Sequence, residues 1–258
     1  MEDLIDTQSE SDQRGIKIDW VGISSYSHPI QIHDKSGVKQ NTIAEFSLSV
    51  NLPKECRGTH MSRFVEALNE GPISISVNEL HSLPQQLLER LKAENSKVSI
   101  KFPYFIEKSS PLSGALGLMD YEVNFETVAN QDKVDSKIVL KIPVTTVCPC
   151  SKAISERGAH NQRGIVTYSV RFNETLWIED LICLVESCAS SQLYSLLKRS
   201  DEKHVTEEAY DNPVFVEDLV RNIAMKSNEL PNILWYRIEA ENFESIHNHN
   251  AYAVIEKG

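Results

Sequence analysis

Long apolar runs are missing from these 258 residues. Stretches such as Ile138-Val139-Leu140 fall far below the ~18 residues that a membrane helix needs, so a membrane-spanning protein is not expected. The first residues, Met1-Glu-Asp-Leu-Ile-Asp, have neither the basic start nor the apolar stretch of a signal peptide. Basic charge is also short: 26 Lys+Arg stand against 37 Asp+Glu, a net charge of −11. Such a balance argues against general binding to nucleic acid or to anionic membrane, since both are themselves negative. The five cysteines, Cys56, Cys148, Cys150, Cys183 and Cys188, are an odd number. Without an export signal they do not read as a disulfide framework, and a reducing cytoplasmic location is the expectation.

What is present describes an ordinary globular chain, with 41% hydrophobic and 24% charged residues. Residues 1–16 are polar and aperiodic and read as a flexible N-terminal tail. Residues 17–23 and 30–33 carry strand patterns. Ala44, Phe46, Leu48, Val50 and Leu52 then alternate with polar residues, the period of a strand with one wet face. Two helices are expected next, over about residues 62–69 and around Leu87, Leu88 and Leu91, with Pro84 suited to a first turn. Val98, Ile100 and Phe102, then Tyr121, Val123 and Phe125, mark two further strands.

The second half repeats that order. Residues 137–147 and 165–172 read as strands, and residues 178–196 recur at helical spacing as one long helix. Asn212-Pro213 opens another helix, and residues 233–241 and 250–255 close with strands. The pattern is ββααββ twice, an α+β architecture of antiparallel sheets with helices on one face. The halves are residues 17–130 and 131–258, and the second holds most candidate site residues.

Chemistry concentrates in two places. In Cys148-Pro149-Cys150, Pro149 biases Cys148 toward extended backbone, where residues i and i+2 point the same way. Near the end, His247-Asn248-His249 has the same spacing. Thiolate plus imidazole is a ligand set that zinc favours, with His160 as a further candidate. A turn at the CPC and a hydrogen-bonded histidine pair explain the two motifs equally well. Lys198 and Arg199, Lys152, Arg163 and Arg63 are cations available to a phosphate. Lys198 and Arg199 equally suit the C-terminus of the long helix expected there.

The segments VTTVCPCSKAISERGAHNQRG, QLYSLLKRSDEKHVTEEAYDNPVFVEDLVR and ENFESIHNHNAYA closely resemble the type IB GTP cyclohydrolases, as do RGTHMSRFVEAL and Pro111-Leu-Ser-Gly114. The resemblance runs from about residue 17 to the end. It implies a tandem tunnelling fold and a homotetramer with sites at subunit interfaces. It also implies conversion of GTP and water to formate and 7,8-dihydroneopterin triphosphate, the first step of folate biosynthesis. A divalent metal (zinc, manganese or iron) is implied, with Cys148, His160, Glu202 and His247 as ligands. Glu217 is implied as the carboxylate that anchors guanine, and Cys150, Glu244 and His249 as residues in or beside the pocket. His249 is the candidate acid at guanine N7, with Cys150 as the alternative; Lys198, Arg199, Arg63 or Lys152 would hold the triphosphate. Ala153, Arg157 and Gly164 depart from the family's usual residues without touching a ligand position. Two other readings are carried: a tunnelling-fold enzyme acting on a related pterin or nitrile-bearing deazapurine, and a non-catalytic, zinc-stapled binding module.

Overall fold

A computed structural model describes residues 6–71, 73–77 and 80–258. Its strands are β1 (Ile18–His33), β2 (Lys39–Leu52), β3 (Ile73–Ile75), β4 (Asn95–Ser109), β5 (Leu116–Asn130), β6 (Val134–Val147), β7 (Asn161–Phe172), β8 (Ile233–Asn242) and β9 (Ala251–Lys257). Its α-helices are α1 (Ser62–Leu68), α2 (Ser82–Leu91), α3 (Pro149–Ile154), α4 (Ile178–Glu186), α5 (Arg199–Asp211) and α6 (Val216–Asn228). Among the described residues the hydrogen-bonded strand order is β3-β1-β2-β4-β5-β6-β7-β8-β9. β1 with β2, β2 with β4, β7 with β8 and β8 with β9 pair antiparallel, whereas the short β3 pairs with β1 in parallel. No helix among the described residues is long and apolar enough to cross a membrane.

The chain forms two compact units: one takes residues up to Phe102 with Asn124–Lys137, the other Pro103–Val123 with Ile138–Gly258. It therefore passes between units within β4, β5 and β6 rather than at one linker. In the first unit the alternation of β2 is realised directly, since Ala44, Phe46, Leu48 and Val50 are at most 1% exposed. Phe64 and Leu68 of α1 and Leu87 of α2 join this core, and Phe102 meets Phe125 edge-on at 5.3 Å. The loose tail expected over residues 1–16 is not what residues 8–12 show, while residues 1–5 lie outside the described set. Asp12 N donates to Glu55 O at 2.9 Å, Arg57 N to Glu10 O at 3.1 Å and Gly58 N to Gln8 O at 3.2 Å. Backbone pairing, which composition does not reveal, holds this polar stretch in place.

In the second unit β7 and β8 pair with Tyr168 opposite Ile238 and Gly164 opposite Asn242. Val166, Tyr168, Val170, Tyr236, Ile238 and Ala240 are buried on one face, with Leu219, Val220 and Ile223 of α6 in the same core. The Tyr168 hydroxyl lies 2.6 Å from Ser227 Oγ of α6, and burial pushes its phenol up to about 12. Lys108 of β4 places Nζ 2.9 Å from both carboxylate oxygens of Glu186 at the end of α4, and the Tyr121 hydroxyl of β5 donates to the same carboxylate at 2.7 Å.

The long helix expected over residues 178–196 ends at Glu186. Beyond it, Ser190 N donates to Thr145 O at 3.0 Å and Ser190 Oγ accepts from Val147 N at 3.0 Å, so the chain pairs with β6 instead of coiling. Lys198 and Arg199 consequently stand at the start of α5, not at a helix C-terminus. Asp201, 0% exposed, closes that start: it accepts from Lys198 N (2.9 Å), Leu112 N (2.9 Å), Ser113 N (2.8 Å) and Ser113 Oγ (2.6 Å). Burial raises this carboxyl, but the hydrogen bonds from Ser113, Lys198 and Leu112 outweigh it and hold it well below the usual carboxylate range. The Pro111-Leu-Ser-Gly114 turn thus docks on the helix that carries Glu202.

Candidate active site

The site is built at one end of the second unit, where β6, β7, β8 and α6 bring their termini together. β6 ends at Val147, and Pro149, with its φ already fixed, opens α3 at once. Cys148 is the N-cap, still extended at φ −71° and ψ 117°, and its Sγ accepts from Ser151 N at 3.4 Å. The expected extended CPC is corrected here, because Cys150 belongs to the helix rather than to a strand. Both cysteines nevertheless line the same cavity of about 300 Å³.

His160 immediately precedes β7 and is tied to the CPC loop twice. Its carbonyl accepts from Cys148 N at 3.1 Å, and its N–H donates to Ser151 Oγ at 3.2 Å. Its ring Nδ1 is 2.9 Å from Gln162 Oε1 and 3.7 Å from Glu244 Oε2. The segment after β8 delivers Glu244, His247 and His249. The His247 and His249 rings stack at 5.1 Å, and His247 stands edge-on to His160 at 6.3 Å with the planes at 86°. Glu217, itself exposed in the first turn of α6, lines the same cavity. Phe215, the N-cap there, makes no side-chain capping bond.

Seven of the residues singled out from sequence therefore share one cavity: Cys148, Cys150, His160, Glu217, Glu244, His247 and His249. The remaining candidates do not line it. Glu202, Lys198 and Arg199 are exposed at the start of α5. Arg63 lies on α1 in the first unit, where Nη1 donates to Arg90 O at 3.3 Å. Lys152 is engaged with Tyr210, donating to its carbonyl and lying 4.3 Å over its ring.

Sequence reading missed Gln162 and Asn242, which line the cavity at 8% and 3% exposure. The signal was available for Gln162. Counting back by twos from the buried Tyr168 and Val166 puts a glutamine at a core position, where an amide requires partners. Asn242 sits opposite Gly164, where a Cβ would meet Asn242 Oδ1 at 2.5 Å and Glu241 O at 2.9 Å, so glycine gives the amide its space.

Among the described residues no three His, Cys, Asp or Glu side chains already converge as a metal-binding group. The donor chemistry nonetheless suits a divalent ion. Two thiols and three imidazoles share the cavity, and the buried Glu244 Oε2 has no hydrogen-bond partner.

Comparison with solved structures places the architecture among the tunnelling-fold proteins. Urate oxidase from Bacillus subtilis 168 matches with a TM-score of 0.55 at 8% identity, over 92% of this chain and 98% of that one. Uricase from Arthrobacter globiformis matches with 0.50 at 8% identity, over 92% of each. At sequence level, residues 4–253 match the family described as Type I GTP cyclohydrolase folE2. The GTP cyclohydrolase FolE2 of Akkermansia muciniphila is 59% identical over 261 residues, covering 100% of this chain and 98% of the relative. That of Syntrophus aciditrophicus is 52% identical over 254 residues, covering 98% and 100%. The chain belongs to the type I GTP cyclohydrolase FolE2 family. Neither the deazapurine reading nor the zinc-staple reading is retained.

Proposed function

We propose that the cavity between α3, β7, α6 and the segment after β8 is where this GTP cyclohydrolase opens the guanine ring of GTP at C8, giving formate and 7,8-dihydroneopterin triphosphate for folate biosynthesis. The observation that carries the reading is the gathering of Cys148, His160, Glu217, His247 and His249 around one cavity in a chain of this family. Cys148, His160 and His247 are the donors proposed for a divalent metal, zinc, manganese or iron. When bound, such an ion supplies activated water near neutral pH. Glu202 is the fourth donor implied by the resemblance; its exposed place on α5 supports it less directly than the cavity supports the other three.

The chain's own residues perform the rest. The Glu217 carboxylate accepts from guanine N1–H and the exocyclic amine, fixing the base by charge-assisted bonds. His249, stacked on His247, donates the proton that N7 needs as the ring opens, with Cys150 beside it in the same lining. Lys198 and Arg199, exposed at the start of α5, are cations offered to the triphosphate, and Arg63 is a further one that the resemblance names. A homotetramer with sites at subunit interfaces is the proposed assembly. The test is direct: Cys148→Ala and His247→Ala are each expected to abolish formate release and to lower bound metal. Full activity in a chelated Cys148→Ala protein would overturn the assignment.

A further inference from the structure

The groups packed behind His160 bear on which ring nitrogen carries its hydrogen. His160 and Gln162 are two residues apart at the entry to β7, so their side chains share a face. Gln162 Oε1 is 2.9 Å from His160 Nδ1, and Gln162 Nε2 donates to Thr146 Oγ1 of β6 at 2.9 Å. Thr146 is 0% exposed and Gln162 8%, so the amide depends on these partners. Glu244 Oε2, buried and otherwise without a partner, approaches the same Nδ1 at 3.7 Å. A carboxylate only accepts. Were the amide turned over, the lone pair of Nδ1 would face the carboxylate oxygen, acceptor against acceptor. With the amide as placed, Nδ1 carries the hydrogen and Gln162 Oε1 accepts it.

We propose that Gln162 is a positioning residue: anchored on Thr146 and acting with Glu244, it holds the hydrogen of His160 on Nδ1 and presents the Nε2 lone pair to the cavity. A histidine that binds a metal through one ring nitrogen is set by the hydrogen bond that the other nitrogen makes. The backbone is pinned as well, by Ser151 Oγ and Cys148 N, so ring position and tautomer are determined together. This gives Glu244 a role behind the ligand rather than against the base. The use made of Nε2 rests on the metal reading above; the tautomer does not.

The test uses metal-free full-length protein carrying 15N-histidine, at a pH of about 8 where free imidazole is neutral. Long-range proton–nitrogen correlation reports which ring nitrogen bears the hydrogen, and the His160 signal is assigned by its loss in His160→Gln. Wild type is expected to show hydrogen on Nδ1. Gln162→Leu is expected to shift His160 toward the Nε2–H form favoured in water, and Gln162→Glu, which keeps the acceptor, to restore it. Zinc competition against a chromogenic chelator is expected to show about ten- to hundredfold weaker binding in Gln162→Leu, recovered by Gln162→Glu. Hydrogen on Nε2 in the wild type would overturn the proposal even if Gln162→Leu failed to fold. So would a folded Gln162→Leu with unchanged tautomer and zinc affinity. Because the tautomer is read without GTP or metal, failure of formate release leaves it untouched.

Discussion

In the proposed site a single carboxylate separates base recognition from metal binding. Glu217 lines the cavity from the first turn of α6, whereas the proposed donors come from the CPC loop, the entry to β7 and the segment after β8. Replacing Glu217 by glutamine removes charge-assisted bonds each worth about 1.5–3 kcal/mol while keeping shape. The expected outcome is a fall in kcat/KM for GTP of about ten- to hundredfold, with metal content by mass spectrometry unchanged. Metal loss in Glu217→Gln would mean that the carboxylate is a ligand. At this scale much was legible in the sequence, because CPC and HNH put scarce, reactive side chains at short spacings. Gln162 and Asn242 were not singled out, because an amide announces nothing until its neighbours are known. Thr146 lies 16 residues from Gln162 along the chain, and their bond exists only once β6 and β7 pair.

The start of α5 and the end of α4 show how elements hold the machinery. Asp201 keeps its carboxyl low by accepting four hydrogen bonds, so the sign of its pH effect is fixed. Its stabilisation is fully present above its ordinary value of 3.8 and is lost as pH falls below that value through the lower folded one. Asp201→Asn is expected to lower the melting temperature at neutral pH, with the gap to wild type narrowing below about pH 4. Melting curves followed by circular dichroism check it, and a gap that widened with acid would contradict it. Lys108 and Glu186 form a buried pair, with side chains 10% and 5% exposed. Lys108→Met leaves that carboxylate without its cation and is expected to cost about 3–5 kcal/mol, much of it recovered in Lys108→Met/Glu186→Leu. Denaturant titration of the three variants measures this. β2 was readable from its strict alternation and α6 from its helical spacing, but Asn212, expected to open α6, is instead the C-cap of α5, and α6 begins at Val216. The stop after Glu186 was not readable, since Cys188, Ala189, Leu193 and Leu196 keep a helical rhythm while Ser190 and Ser191 are held by β6.

On the scale of the whole molecule, a chain of net charge −11 takes a polyanionic substrate, so its acid must be distributed rather than merely abundant. Asp201 and Glu186 are consumed by internal partners, Glu217 is the carboxylate proposed to face the base, and Glu244 approaches a histidine. Under the proposal, acceptance of GTP depends on a metal and a few local cations, not on the overall field. The tunnelling architecture was legible as an element order, ββααββ twice, but the passage of the chain between units inside β4, β5 and β6 was not. Contacts across those strands decide it, and no local pattern records them. The most direct measurement uses GTP labelled at C8 and purified protein loaded with zinc, manganese or iron. The account predicts label released as formate in step with pterin fluorescence after oxidation, abolished by chelation and by Cys148→Ala. Label retained in the nucleotide by the metal-loaded wild type, or released equally by chelated Cys148→Ala, would contradict it.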